Sequence, residues 1–352
     1  MWNIRDEEIE KRGFFQDEEL LKELKGSSFL ISGATGLLGQ TIIKMLVRAE
    51  QYFHLGLHIY GLIRSEDKVK KVFAELMECP FITWIKTDIL DPGIRYDKQI
   101  PEALDYVIHT ASITDSKMFI TNPVETIRNG VLGTDNIFQL AVQKQAKSIV
   151  YLSSMEAYGT IDNKKNIREE DIGRIELSEV RNSYPATKRM CERLCLGYDE
   201  EYGMNVKIVR LVQTFGPGVM YQDNRVFMEF ARCALEGKNI VLHTTGKSER
   251  MYVYSYDAAE AILFVLLKGK QGGIYNVANP ETYCSILQMA DLVKDKIAQD
   301  KIEVLIKIDK VEAQKYTKEH HLFLDTSRIE DLGWKPGVGL EEMFRRMISA
   351  LD

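Results

Sequence analysis

The chain has 352 residues, a formal net charge of −6, 45% hydrophobic and 28% charged residues, the balance of a globular protein with one large or two modest domains. The acidic balance and the lack of a long basic tract argue against nucleic acid as a partner. Apolar runs such as Ala261–Leu267 are too short to span a bilayer, and the charged segment Asp6–Arg12 carries no secretory signal, so a cytoplasmic protein off the membrane is expected.

In chain order, residues 1–25 read as a helical lead-in. Strand and helix patterns then alternate: a strand over 29–32, a helix over 39–49, a strand over 57–63, a helix over 69–76, and strands over 82–86 and 106–109. A helix over 126–143, a strand over 148–153, a helix over 183–202 and a strand over 206–212 follow. Strands separated by helices predict a parallel α/β sheet covered on both faces. After Phe215-Gly216-Pro217-Gly218 the rhythm changes to a helix over 225–235, a short strand over 240–243 and a strand–helix pair over 251–254 and 257–267. A helix over 285–297, a strand near 302–308 and a closing helix over 340–351 complete the tail. The expected division is a dinucleotide domain over 26–215 that also receives 251–270, and a smaller mixed α/β lobe from 216–250 and 271–352.

Gly33-Ala34-Thr35-Gly36-Leu37-Leu38-Gly39 directly follows the first strand. Glycine at these positions lets backbone amides approach a pyrophosphate at the start of the following helix, while Gly39 admits close helix–strand packing. The second strand ends in Arg64-Ser65, with Lys68 beyond, where an acidic residue would bind the ribose 2′-hydroxyl of NAD. A cation there suits a 2′-phosphate, which favours NADP over NAD, although a plain surface charge is the alternative. Asp88, followed by Ile89, either flanks the adenine or caps its own turn.

Tyr184 and Lys188 lie one helical turn apart on one face. A neighbouring ammonium favours the phenolate, making the tyrosine usable as a base. Ser154, at the end of the strand over 148–153, supplies a hydroxyl to orient the reacting oxygen. The combination reads as a redox enzyme. Cys79, Cys191, Cys195, Cys233 and Cys284 form no disulfide or metal pattern, and no metal site is expected.

These motifs resemble the extended short-chain dehydrogenase/reductases, specifically the nucleotide-sugar epimerase/dehydratase/decarboxylase group, with the UDP-glucuronate decarboxylases among them. The resemblance implies a Rossmann-type doubly wound sheet, and Ser154, Tyr184 and Lys188 as the catalytic trio with Glu156 as a second base. It implies that Thr110-Ala111-Ser112, after the fourth strand, flank the nicotinamide. Gln213, Thr214, Arg225 and Arg250 would hold a nucleoside-diphosphate sugar, Arg250 through its diphosphate. It also implies a homodimer built on the helices over 126–143 and 183–202, with Ile137, Leu140 and Leu194 as apolar candidates. The implied reaction begins with oxidation at the sugar C4.

Three positions depart from the pattern. Gly130 stands where an asparagine is usual, Gln213 replaces the loop asparagine, and Met155 replaces the acid that hexose 4,6-dehydratases use to expel the C6 hydroxyl. Decarboxylase or epimerase chemistry is therefore favoured over that dehydration. An NADPH-dependent reductase of 4-keto sugars is an alternative, and a non-catalytic cofactor-sensing regulator is another.

Overall fold

The computed structural model describes residues 13–161, 166–308 and 321–351. Residues 1–12, with the charged segment Asp6–Arg12 and the start of the lead-in, lie outside the described residues. Among the described residues, no helix is long and apolar enough to cross a membrane.

Thirteen strands are described, β1 (Ser28–Ser32), β2 (His58–Ile63), β3 (Ile82–Lys86), β4 (Tyr106–His109), β5 (Ser148–Ser154), β6 (Val206–Leu211), β7 (Gln213–Phe215), β8 (Ile240–Leu242), β9 (Glu249–Tyr254), β10 (Gly273–Val277), β11 (Asn279–Ser285), β12 (Val304–Ile306) and β13 (His321–Leu322). Seven of them form one parallel sheet in the order β10-β6-β5-β4-β1-β2-β3. The order reverses at β1, so the crevice beyond the carboxyl ends of β1 and β4 is the place a doubly wound sheet offers to a ligand.

Five longer helices matter for the site: α1 (Leu37–Phe53), α2 (Pro123–Gln143), α3 (Ser183–Tyr202), α4 (Val226–Glu236) and α5 (Ser255–Lys268). The strands are apolar on both sides because both faces are covered. Leu30, Val107, Ile149, Tyr151 and Ile208 face a core completed by Ile137, Phe138 and Leu140 of α2 and Cys191 and Cys195 of α3. Phe29, Ile31, Ile108, Val150 and Val209 face the opposite core with Ile42, Ile43 and Leu46 of α1 and the apolar residues of α5.

The strand at 251–254 does not join this sheet. It is part of β9, which pairs with β7, β11 and β13 in the smaller sheet, while α5 returns to the main sheet beside α1, β5 and β6. The edge place is taken by β10, within the segment expected in the smaller lobe. The switch is local: Gly272, at φ +70°, turns the chain after α5, and its N–H donates to Val206 O at 2.8 Å, starting the pairing with β6. Ile137 and Leu140 are fully buried in their own domain, so these two cannot face a partner; Val124, Ile127 and Leu132 of α2 and Met190 of α3 are the exposed apolar residues instead.

Candidate active site

The glycine turn joins β1 to the 17-residue α1. Gly33 has φ +68°, and a Cβ there would lie 2.7 Å from Thr110 Oγ1 and 2.8 Å from Ala111 N. At Gly39 a Cβ would meet Gly33 O at 2.3 Å. The first position needs glycine for backbone conformation and close approach, the second for packing of α1 on the turn. Gly36 is the exposed N-cap, with Thr35, Leu37 and Leu38 around it partly exposed. These helix-start amides are an anion cradle, and the chain's own residues fit a dinucleotide pyrophosphate.

Arg64 and Ser65 are exposed beyond β2, and the Ser65 hydroxyl accepts from Lys68 N at 3.3 Å to cap the next helix. Asp88 is exposed and accepts from Leu90 N at 2.9 Å, the turn-capping role. Ile89 points inward: its Cδ1 lies where a Cβ on Gly133 would be, and its carbonyl accepts from Asn136 Nδ2 at 2.8 Å. After β4, the Thr110 hydroxyl donates to Ser32 O at 2.7 Å and Ala111 N donates to Ser32 Oγ at 3.3 Å. Ser112 is partly exposed just beyond them.

The resemblance places His109 only as the first residue of the fourth-strand end near the nicotinamide, with no role of its own. Its Nδ1 lies 2.6 Å from Ser32 Oγ and its Nε2 3.1 Å from Thr134 Oγ1. Burial, reinforced by the Lys188 charge, pushes its pKa down to about 3, so the ring is neutral and ties β1, β4 and α2 together under the turn.

β5 delivers Ser154 and α3 delivers Tyr184 and Lys188 to the same place. Ser154 is partly exposed, its Oγ accepting from Glu156 N at 3.2 Å. The Lys188 ammonium donates to Leu152 O at 2.7 Å and lies 4.8 Å from the Tyr151 ring centre and 5.6 Å from that of Tyr184. Burial lowers the Lys188 pKa to about 8, opposed by Cys191, Cys195 and Glu192. The Tyr184 ring stacks on Phe119 at 4.3 Å and 4°. Burial pushes the phenol well up, and the Glu156 charge adds to this, while the hydrogen bond with Ser154 and the charge of Arg225 pull it down.

Glu156 lies on the turn after Ser154, and its Oε2 accepts from Arg181 Nη1 at 3.4 Å. Phe119 and Arg181 escaped the sequence reading. Each is an ordinary residue type outside any motif, although Arg181 precedes Tyr184 by only three positions.

Beyond β6, Thr214 is buried with its hydroxyl donating to Val212 O. Arg225 forms a two-pronged pair with Asp223, at 3.0 Å from Nε and 2.6 Å from Nη2, and lies 4.7 Å from the Phe227 ring centre. Gln213 of β7 is in register with Tyr252 of β9, while Arg250 of β9 opposes Cys284 of β11. Gln213 Oε1, Arg250 Nε and Tyr252 OH are buried without a hydrogen-bond partner. Buried polar groups without partners are costly, and these three lie on the paired strands β7 and β9. Among the described residues, no cluster of His, Cys, Asp or Glu could hold a metal ion.

A doubly wound dinucleotide cradle with a Tyr–Lys pair and a serine at the strand ends defines the class as an oxidoreductase-type enzyme of the short-chain dehydrogenase/reductase kind. The sequence profile of the NAD dependent epimerase/dehydratase family matches residues 29–278, and the chain belongs to that family. It is 28% identical over 315 residues to UDP-glucuronic acid decarboxylase 6 of Arabidopsis thaliana, covering 89% of this chain and 85% of the relative. Its fold is similar to UDP-glucose 4-epimerase of Thermotoga maritima, solved with UDP-glucose (TM-score 0.78, 20% identity, 92% and 98% of the two chains). It is likewise similar to DesIV, a dTDP-glucose 4,6-dehydratase of Streptomyces venezuelae solved with NAD (TM-score 0.77, 21% identity, 92% and 96%).

Proposed function

We propose that the protein oxidises C4 of a nucleoside-diphosphate sugar reversibly and uses the 4-keto stage for decarboxylation or epimerisation. The observation that carries this reading is the convergence of Ser154, Tyr184 and Lys188 with Glu156 at one strand edge. A bound nicotinamide dinucleotide supplies the reversible hydride acceptor.

The chain's own work is proton handling and orientation. Tyr184, as phenolate, takes the proton of the sugar 4-hydroxyl and later returns it. Lys188 opposes the unfavourable burial of that phenolate, and Ser154 holds the reacting oxygen so that geometry is set before transfer. Glu156 acts in the second step, at C5 or at a group on C6. Met155 supports this branch: its side chain is buried in the core, so the position offers no acid to a departing C6 hydroxyl. Arg250, Gln213 and Thr214 bind the nucleotide sugar, with Arg225 near the reacting tyrosine.

Arg64 and Ser65 favour NADP over NAD, as a cation and a hydroxyl suited to a 2′-phosphate. The exposed apolar residues Val124, Ile127 and Met190 support a homodimer across α2 and α3. The test is mass spectrometry and NMR of UDP-glucuronate, UDP-glucose, dTDP-glucose and GDP-mannose incubated with the protein and NAD or NADP. Loss of CO2 from one member or inversion of a centre is expected. No change in any of them refutes the reading, as does turnover at the wild-type rate by a Tyr184→Phe variant.

A further inference from the structure

The helix Ser116–Thr121, between β4 and α2, has a single buried side chain, Phe119. Phe119 is 2% exposed, yet it belongs to neither of the two apolar cores, and Tyr184 belongs to neither. The two rings pack on each other. At 4.3 Å between centres and 4° between planes they are the closest and most nearly parallel ring pair among the described residues, with the spacing of an offset stack. The contact is anchored at the backbone, because Ser183, the first residue of α3, donates its hydroxyl to Phe119 O at 2.9 Å. The start of the short helix is fixed as well, by the Asp115 carboxylate, which accepts from Lys117 N at 2.9 Å. Phe119 is thus presented to Tyr184 by a helix that buries no other side chain.

The plane of a tyrosine ring matters to proton transfer. Conjugation keeps the phenolic O–H in the ring plane, along with the lone pair that takes up a proton in the phenolate. Rotation about the Cβ–Cγ bond is broad, so that plane is set by what packs against the ring. For Tyr184 the flat partner is Phe119. The Lys188 ammonium, 5.6 Å from the Tyr184 ring centre, is a compact point charge and defines no plane.

We propose that Phe119 is a positioning residue: stacked on Tyr184, it fixes the ring plane and with it the direction along which the phenolic oxygen exchanges a proton with substrate. This rests on the role given to Tyr184 above.

The experiment measures kcat and KM of the wild type, Phe119→Leu, Phe119→Met and Phe119→Tyr with UDP-glucuronate, UDP-glucose, dTDP-glucose and GDP-mannose, each with NAD or NADP. Leucine and methionine fill the site without a flat face, whereas tyrosine keeps the ring. On the sugar that the wild type converts, Phe119→Leu and Phe119→Met should lower kcat about tenfold to a hundredfold, the scale of a small misplacement of a reacting group. KM should stay within about threefold, since the contact acts on proton transfer and not on ground-state binding. Phe119→Tyr should keep kcat within about threefold of the wild type. Urea midpoints of the four proteins are measured alongside, and kcat is expected to follow the presence of the ring and not the midpoint. Wild-type kcat in Phe119→Leu and Phe119→Met, a loss carried by KM alone, or a kcat that follows the midpoint overturns the inference and leaves the proposed function standing. Conversion of none of the four sugars by the wild type overturns both.

Discussion

Gly130 offers a sharp test of how α2 and α3 are packed. A Cβ at this position would lie 2.2 Å from Thr187 Cγ2, far inside contact distance. Thr187 is 5% exposed and its hydroxyl donates to Ser183 O at 2.6 Å, so its methyl cannot swing away without breaking that bond. Gly130→Ala therefore sets a helix-propensity gain of about 1 kcal/mol against an overpacking cost of about 1–3 kcal/mol. The expected net result is a loss of up to about 2 kcal/mol. Thr187→Ser keeps the hydroxyl, deletes the offending methyl, and should cost about 1 kcal/mol for the buried group removed. In the double variant the clash is gone and the alanine gain returns, so it should be at least as stable as Thr187→Ser alone. The cycle then has a favourable coupling of about 1–3 kcal/mol. Urea denaturation of the four proteins, followed by circular dichroism, measures it. Additivity within about 0.5 kcal/mol would refute the packing argument.

Tyr184→Phe should lower turnover by roughly 10²–10⁴ while nucleotide-sugar affinity stays close to wild type, as isothermal calorimetry will show. Arg64→Ala should lower the NADP-over-NAD preference about tenfold, equivalent to about 1.4 kcal/mol, in fluorescence titrations; an unchanged ratio removes Arg64 from the cofactor site. Lys207→Met should be more stable than wild type at pH 7, with an advantage that shrinks as pH rises. Burial lowers the Lys207 pKa to about 8 from an ordinary 10.5, so its buried charge opposes folding fully below pH 8 and progressively less up to 10.5. Urea unfolding at pH 7 and pH 9.5 checks this, and an advantage that grows with pH contradicts it.

The main sheet was readable because its strands are apolar on both faces and their ends carry glycine, serine and turn residues. The motifs also announce the crevice, since they fall at the carboxyl ends of successive strands. What escaped was set by pairing partners the sequence does not name. β10, with Tyr275-Asn276-Val277, has the composition of an ordinary lobe strand, and only its register with β6 gives it the edge of the large sheet. Conversely, β9 followed by α5 looks like a further strand–helix unit, yet the strand and the helix belong to different layers. Ile137 and Leu140 share a helix with the exposed Val124, Ile127 and Leu132, and helical periodicity alone does not say which stripe faces the sheet. Arg181 lies outside every motif because its meaning depends on Glu156, 25 residues earlier in the chain.

The residues around the Tyr–Lys pair explain how a partly exposed turn is held in place beside that pair. Arg189, next to Lys188, donates to Ala157 O at 2.8 and 3.0 Å, to Tyr158 O at 3.1 Å and to Gly173 O at 3.0 Å. One guanidinium thus fastens the turn that carries Glu156 to the helix that carries Tyr184. A second tie lies beneath it: Arg210 of β6 pairs with both oxygens of Glu192 on α3, and Glu192 accepts from Ser153 Oγ, the residue before Ser154. Such a buried pair adds little net stability over an apolar substitute, but losing either partner strands a charge, so the arrangement is unforgiving of displacement. Ser154 and Glu156 follow one of these anchors, and Tyr184 and Lys188 share a helix with the other. Their separation is therefore set by the fold itself, which under the proposed function is the condition for catalysis by positioning. Helix α3 carries both sets of residues: Tyr184 and Lys188 lie by the end of β5, while Arg189 and Glu192 secure the turn and the strand beside it.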